Sequence, residues 1–226
     1  MEHTCADIAR MIDHSLLKPE LTDGEIKAGC EISKKYNVAA VCCSPADVAR
    51  VKQYLKGSSV KVASVVGFPH GNNRTETKVF EAGLAIEDGA DELDMVLNIG
   101  RLRSRAFDYV RADVRAVVDV AHRSNVLVKV ILENCFLSKE LIEAGCRLCE
   151  EAGADFVKTS TGFAPGGMTL EDLALMRRSV SPKVQIKAAG GVRDLDMALK
   201  VREAGATRFG ATQTERIMEE CHRRMA

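Results

Sequence analysis

Ala152-Gly-Ala-Asp-Phe-Val-Lys-Thr-Ser-Thr-Gly162 combines a helix-to-strand joint with a strand. The glycine at position 153 suits the left-handed end of a helix, and the short remainder feeds straight into an extended run. The same joint returns as Asp88-Gly89-Ala90-Asp91 and as Ala204-Gly205-Ala206-Thr207. In the strand that follows, alternation sends Phe156, Lys158 and Ser160 to one side and Val157 and Thr159 to the other. A lysine there puts a chargeable amine where a packed core favours valine. Val184–Gly190, reading Val-Gln-Ile-Lys-Ala-Ala-Gly, repeats the arrangement with Lys187. Two buried amines facing one space repel each other, and desolvation opposes both charges, so at least one pKa should fall. A lysine with a lowered pKa is a nucleophile at neutral pH.

Outward from this stretch the chain reads as strand, loop and helix, repeated. Apolar runs predict strands at Ile12–Leu17, Val38–Cys43, Val60–Phe68, Asp91–Asn98, Val126–Glu133, Asp155–Thr161, Val184–Gly190 and Thr207–Ala211. Between them lie eight helical patterns, one opened by Thr22 and Glu25 as a capping box and one by Ser44 with Pro45 at its first position. Strands alternating with helices imply parallel pairing through right-handed crossovers. Eight units in 226 residues fit a single (β/α)8 TIM barrel spanning residues 1–226, an α/β fold. A doubly wound open sheet is the runner-up, but its Gly-x-Gly-x-x-Gly turn is missing from the first βα joint.

Composition narrows the function. Lys+Arg and Asp+Glu both number 32, giving zero net charge, which argues against nucleic-acid and membrane-surface partners. No apolar run approaches the roughly 20 residues of a membrane span, and Met1–Arg10 has no signal-peptide pattern. A cytoplasmic protein is expected. The eight cysteines sit mostly inside apolar patterns and are expected to be reduced. Cys146 and Cys149 form a lone CxxC with no second pair and no nearby histidine, so no metal is expected.

In a barrel, chemistry collects at the C-terminal ends of the strands. Inward parity there gives Asp94 and Asn98, Lys129 and Glu133, Lys158 and Ser160, and Lys187. Layers draw side chains from alternate strands, so Asp94 and Lys158 are expected in one layer and Lys129 and Lys187 in its neighbour. A salt-bridge plug would explain any one of these lysines. Three lysines against one or two carboxylates leave an excess of positive charge that is costly for structure alone. That excess favours a functional amine. Lys187-Ala-Ala-Gly-Gly-Val-Arg193 places two glycines and an arginine just past strand seven, and Arg208-Phe-Gly-Ala-Thr-Gln-Thr214 leads strand eight into a helix N-terminus. The loops after these strands are the usual phosphate site of the fold.

These residues also resemble a known family. Val157-Lys-Thr-Ser-Thr-Gly-Phe163, Ile186-Lys-Ala-Ala-Gly-Gly-Val-Arg193, Asp91-Glu-Leu-Asp-Met-Val96, Ile12-Asp-His-Ser-Leu-Leu-Lys18 and Val66-Gly-Phe-Pro-His-Gly71 are similar to deoxyribose-phosphate aldolases over nearly the whole chain. The resemblance implies a class I aldolase that reversibly cleaves 2-deoxy-D-ribose 5-phosphate to glyceraldehyde 3-phosphate and acetaldehyde, with no cofactor. It implies that Lys158 forms the Schiff base, Lys187 lowers its pKa and Asp94 relays protons. It further implies that Asp13, Ser15, Cys42 and Lys129 line the pocket. Gly162, Gly190, Gly191, Val192, Arg193, Gly210 and Thr212 would surround the phosphate, near a helix starting at Thr214.

Gln213, Glu133-Asn134-Cys135 and the ending Met225-Ala226, without a terminal tyrosine, depart from the family pattern. The expected partners are a sugar phosphate and aldehydes, with a homo-oligomer left open. The alternatives are another Schiff-base sugar-phosphate aldolase or transaldolase, and a non-catalytic phosphate-binding barrel. A metal-dependent epimerase would need a His/Asp set that the five histidines do not supply.

Overall fold

The computed structural model describes residues 4–225. Residues 1–3 and 226, which carry part of the N-terminal stretch and the end of the C-terminal departure, lie outside the described residues. Eight parallel strands close into a barrel in sequence order: β1 (Ile12–Leu16), β2 (Ala40–Cys43), β3 (Lys61–Val66), β4 (Glu92–Val96), β5 (Leu127–Ile131), β6 (Phe156–Lys158), β7 (Gln185–Ala188) and β8 (Arg208–Ala211). This is the (β/α)8 TIM barrel. Following the Cα partners once around from Asp13 leads to a point eight residues earlier in β1. A shear of 8 for eight strands makes residues of alternate strands share a layer inside the barrel. One layer holds Asp13, Ala63, Lys129 and Lys187, and the next towards the C-terminal rim holds Cys42, Asp94, Lys158 and Gly210.

Around the barrel lie α1 (Cys5–Ala9), α2 (Asp23–Tyr36), α3 (Val48–Tyr54), α4 (Thr75–Glu87), α5 (Ile99–Arg103), α6 (Phe107–Arg123), α7 (Lys139–Glu151), α8 (Leu170–Ser179), α9 (Leu195–Glu203) and α10 (Thr214–Met225). That is ten helices among the described residues, not eight. The two additions, α1 and α5, are five residues each and are capped by Thr4 and Asn98. Helices that short form only where packing holds them, and their periodicity is too brief to read. The hydrogen-bonded strands are also shorter than the apolar runs, and Gly67, Glu133 and Gly190, which fall inside those runs, turn the chain off the ladder with φ of 63°, 58° and 77°.

The repeated joint works as its sequence suggests. Gly89, Gly153 and Gly205 have φ of 101°, 87° and 96°, and the next residue's amide reaches back into the helix, Ala90 to Ala85, Ala154 to Cys149 and Ala206 to Val201. The aspartate that ends two of these joints has its own task. Asp91 accepts from the Val62 amide at 2.9 Å, and Asp155 from the Val128 amide at 2.8 Å, tying each strand's entrance to its predecessor.

One expectation about the cysteines is overturned. Cys5 and Cys221 form a disulfide between α1 and α10 across 216 positions of sequence. The chain folds its two terminal helices side by side, a proximity invisible in local patterns. Cys146 and Cys149 are free and buried on α7.

Candidate active site

Six of the eight strands, β1 and β4 to β8, contribute inward residues to a charged column along the barrel axis, while the inward residues of β2 and β3 are apolar. Asp94 stands at the centre. Its Oδ1 accepts from Lys129 Nζ at 2.8 Å. Its Oδ2 accepts from Lys158 Nζ at 2.7 Å and from Lys187 Nζ at 2.6 Å. Lys187 also pairs with Asp13, and Lys129 with Glu92 at 2.6 Å. Below them Arg208 forks onto Asp13 and Glu92, closing the column. All of these side chains are buried or nearly so.

The count of charges differs from the sequence expectation. Three carboxylates, Asp13, Glu92 and Asp94, meet three lysines and Arg208. The column is neutral when one amine has lost its proton and carries a single positive charge when none has. Burial opposes a surplus charge strongly, so the amine with the fewest carboxylate partners is the one to give way. That amine is Lys158, which touches Asp94 alone.

The electrostatics agree. Burial pushes the Lys158 pKa down, Asp94 pulls it back up, and Lys187 pushes it down again. Burial also works against Lys187 and Lys129, but Asp13 and Asp94 overcome it for Lys187, and Asp94 and Glu92 for Lys129, so both are raised. Burial tends to raise Asp94, but Lys129, Lys158 and Lys187 hold it well below the usual carboxylate range. Asp13 lies below that range too: burial would raise it, and Arg208 with the two lysines prevails. Burial pushes the Cys42 thiol up to about 11, with Asp94 adding to the effect. Cys42 is therefore a neutral neighbour of the amines rather than a thiolate.

Above the column a cavity of about 420 Å³ opens at the C-terminal rim. Lys158 is the member of the column that lines it. Ser15, Gly162, Gly190, Gly191, Val192, Arg193, Gly210 and Thr212 line it as well. The structure thus brings these together on one side of the Lys158 amine. Asp13, Cys42, Asp94, Lys129 and Lys187 lie in the barrel interior instead of on the cavity wall. Asp13, Cys42 and Lys129 are each an inward residue at or below the Lys158 layer.

Further differences concern β8 and its loop. Arg208 opens β8, as the expected strand has it, but its side chain is spent at the bottom of the column. Gln213 faces an outer groove with His14, not the cavity. Thr212 does line the cavity, and α10 begins two residues later, so the helix N-terminus lies close to the wall. Arg193 is exposed at the rim, and among the described residues it has no ion pair.

Sequence reasoning missed Glu92 and Arg208 as partners in the column, and Leu17, Lys18, Thr161 and Phe163 on the cavity wall. Glu92 has the inward parity of Asp94, two residues on, which was the signal available. The segment carrying Phe163 packs backbone to backbone against the β7 loop. Met168 N donates to Ala189 O at 3.0 Å, and a Cβ at Gly167 would fall 1.8 Å from Gly190 O. Only glycine permits that approach. Among the described residues, no group of three or more His, Cys, Asp and Glu is arranged to hold a metal ion.

Comparison with known proteins supplies a family for this arrangement. The model of the DeoC/LacD family aldolase matches residues 8–217. The deoxyribose-phosphate aldolase of Thermococcus gammatolerans is 53% identical over 215 residues, 94% of this chain and 96% of that protein. The enzyme of the same name from Geobacillus sp. is 51% identical over 213 residues, 94% and 95% of the two chains. Among solved structures, a deoxyribose phosphate aldolase from Aeropyrum pernix, described as a unique tetramer, superposes with a TM-score of 0.90. It has 28% identity over 99% of this chain and 94% of that one. By the family model matched and the extent of identity to its members, the chain belongs to the DeoC/LacD family of aldolases.

Proposed function

We propose that this chain reversibly cleaves 2-deoxy-D-ribose 5-phosphate to D-glyceraldehyde 3-phosphate and acetaldehyde through a Schiff base on Lys158. The observation that carries the reading is the buried Lys158 amine, lowered in pKa and presented at the floor of a glycine-walled cavity.

Neutral Lys158 attacks the C1 aldehyde of the open-chain sugar, and loss of water leaves a protonated imine. A two-carbon aldehyde product requires the C2–C3 bond to break. The proton of the C3 hydroxyl leaves, the C3–O electrons form the new aldehyde, and the bonding pair moves through C2 and C1 onto nitrogen. Glyceraldehyde 3-phosphate departs and an enamine remains. Protonation at C2 and hydrolysis of the resulting imine release acetaldehyde and restore the amine.

The column suits this sequence. The imine cation forms beside Asp94, whose carboxylate is already in place to stabilise it. Because its carboxylate is so weakly basic, Asp94 passes protons through water in transit and does not store them. Lys187 keeps its proton and biases Lys158 towards the neutral form. Gly162, Gly190, Gly191, Val192, Arg193, Gly210 and Thr212 hold the phosphate with backbone amides and one guanidinium, as helix and loop ends do elsewhere. Ser15 stands beside Gly210 on the same wall, where a Cβ on that glycine would come within 3.6 Å of its hydroxyl.

We read residues 1–226 as one catalytic domain working in the cytoplasm on small molecules. Among the described residues no helix is long and apolar enough to cross a membrane. The test is borohydride reduction in the presence of acetaldehyde followed by peptide mapping. Mass should be added to the Lys158 peptide alone, and Lys158→Ala should abolish cleavage while leaving the fold intact. Label on Lys129 or Lys187 would overturn the assignment. Cleavage that EDTA abolishes and a divalent ion restores would overturn the Schiff-base reading.

A further inference from the structure

β5 and β6 stay hydrogen-bonded beyond their last ladder residues. Leu132 N donates to Lys158 O and Asn134 N to Thr159 O, both at 3.0 Å. Between these bonds Glu133 adopts a left-handed backbone, φ 58° and ψ 64°. For a residue with a side chain this conformation is strained. The conformation turns a carboxylate that is only 1% exposed towards the β6 loop. There it accepts from Thr161 N at 3.1 and 3.3 Å and from the Thr161 hydroxyl. The same hydroxyl oxygen accepts from Phe163 N at 3.0 Å.

The consequence falls on Gly162. Both amides flanking it are committed, while among the described residues its own amide makes no hydrogen bond. Gly162 has φ 90° and lines the cavity with Gly190 and Arg193. We infer that Glu133 is a positioning residue for the anionic end of the substrate, clamping the 161–163 turn so that the Gly162 amide stays free to meet a phosphate. The inference rests on the phosphorylated-sugar reading above.

Electrostatics pull the other way. A buried carboxylate near an anion site repels the anion, so Glu133 helps binding only if the ordering of the turn outweighs that repulsion. The two effects have opposite signs, and a neutral replacement separates them. Glu133→Gln keeps the shape but is a weaker acceptor for Thr161. KM for 2-deoxyribose 5-phosphate should rise about tenfold more than KM for unphosphorylated 2-deoxyribose, as expected for loss of a binding interaction of roughly 1.4 kcal/mol. Inorganic phosphate, measured by its protection against thermal unfolding, should bind more weakly by a similar factor.

Thr161→Val removes the hydroxyl that links Glu133 to Phe163, and it should reproduce the effect if Glu133→Gln fails to fold. Equal losses with both sugars would assign Glu133 to the fold alone. Tighter phosphate binding in Glu133→Gln would show that repulsion dominates. Either result overturns the clamp. If the wild type does not cleave the phosphorylated sugar, the functional reading fails, and the inorganic-phosphate measurement still decides the clamp.

Discussion

Lys158 and Lys187 sit opposite one another on the β6–β7 ladder and direct their amines at the same oxygen, Oδ2 of Asp94, at 2.7 and 2.6 Å. Two like charges so placed cannot both be comfortable in a dry interior. Lys187 has a second carboxylate, Asp13, and Lys158 does not. The asymmetry makes one a permanent cation and the other a titrating nucleophile.

Removing the cation should move the nucleophile's pKa. Lys187 depresses Lys158, so Lys187→Met raises the Lys158 pKa, and a higher pH is needed to reach the neutral form. The acidic limb of kcat/KM against pH should shift upward, and the rate at neutral pH should fall. An unmoved limb would show that Lys187 acts by some other means.

Asp94→Asn should shift the same limb in the opposite direction. Asp94 raises the Lys158 pKa, so its loss leaves the amine neutral at still lower pH. Activity should nonetheless fall by roughly 10²–10⁴, the usual worth of a positioned proton-transfer group. The variant should also lose about 3–5 kcal/mol of stability, because Lys129 and Lys187 are left under-compensated. A chemical denaturation series together with the pH profile checks both.

Acid should destabilise the protein in two stages with different causes. Burial lowers the His14 pKa from 6.5 to about 4, so between these values the unfolded chain binds a proton that the folded chain refuses. Stability is lost as pH falls through that window, by about 3 kcal/mol. Asp13 and Asp94 are depressed in the folded state, so the stability they supply is present at neutral pH and is lost below about pH 5. Thermal melts of the wild type and His14→Gln between pH 7 and pH 4 should show the first stage only in the wild type. Parallel curves would remove His14 as its cause.

The Cys5–Cys221 bond closes a loop that takes in almost the whole chain. Chain-entropy reasoning gives such a loop about 5 kcal/mol. Reduction should therefore lower Tm by roughly 10–20 °C. Cys5→Ser should melt where the reduced wild type melts and should no longer respond to reductant. A Tm indifferent to reductant in the wild type would show that the bond does not form or does not constrain the unfolded chain.

The sequence by itself determined the barrel and four of the inward polar residues. The recurring joints set the period, and alternation set the parity of Asp94, Lys129, Lys158 and Lys187. Both depend only on neighbours within one strand or one helix end, so they can be read locally. The layer order followed from those two facts.

What only the tertiary structure decided were relationships between distant positions. Lys158 and Lys187 reach Asp94 across 64 and 93 residues, and Arg208 reaches Asp13 across 195. Which amine loses its proton depends on how many carboxylates each one touches, a number that no local pattern contains. Lys78 makes the same point outside the barrel. It lies on α4, where a lysine normally faces water, yet it is fully buried on Asp113 at 2.6 Å and the Val96 carbonyl at 2.9 Å. Periodicity records which way a side chain points. Charge, proton affinity and access to the cavity depend on what waits there, and that is set by distances the closed barrel creates.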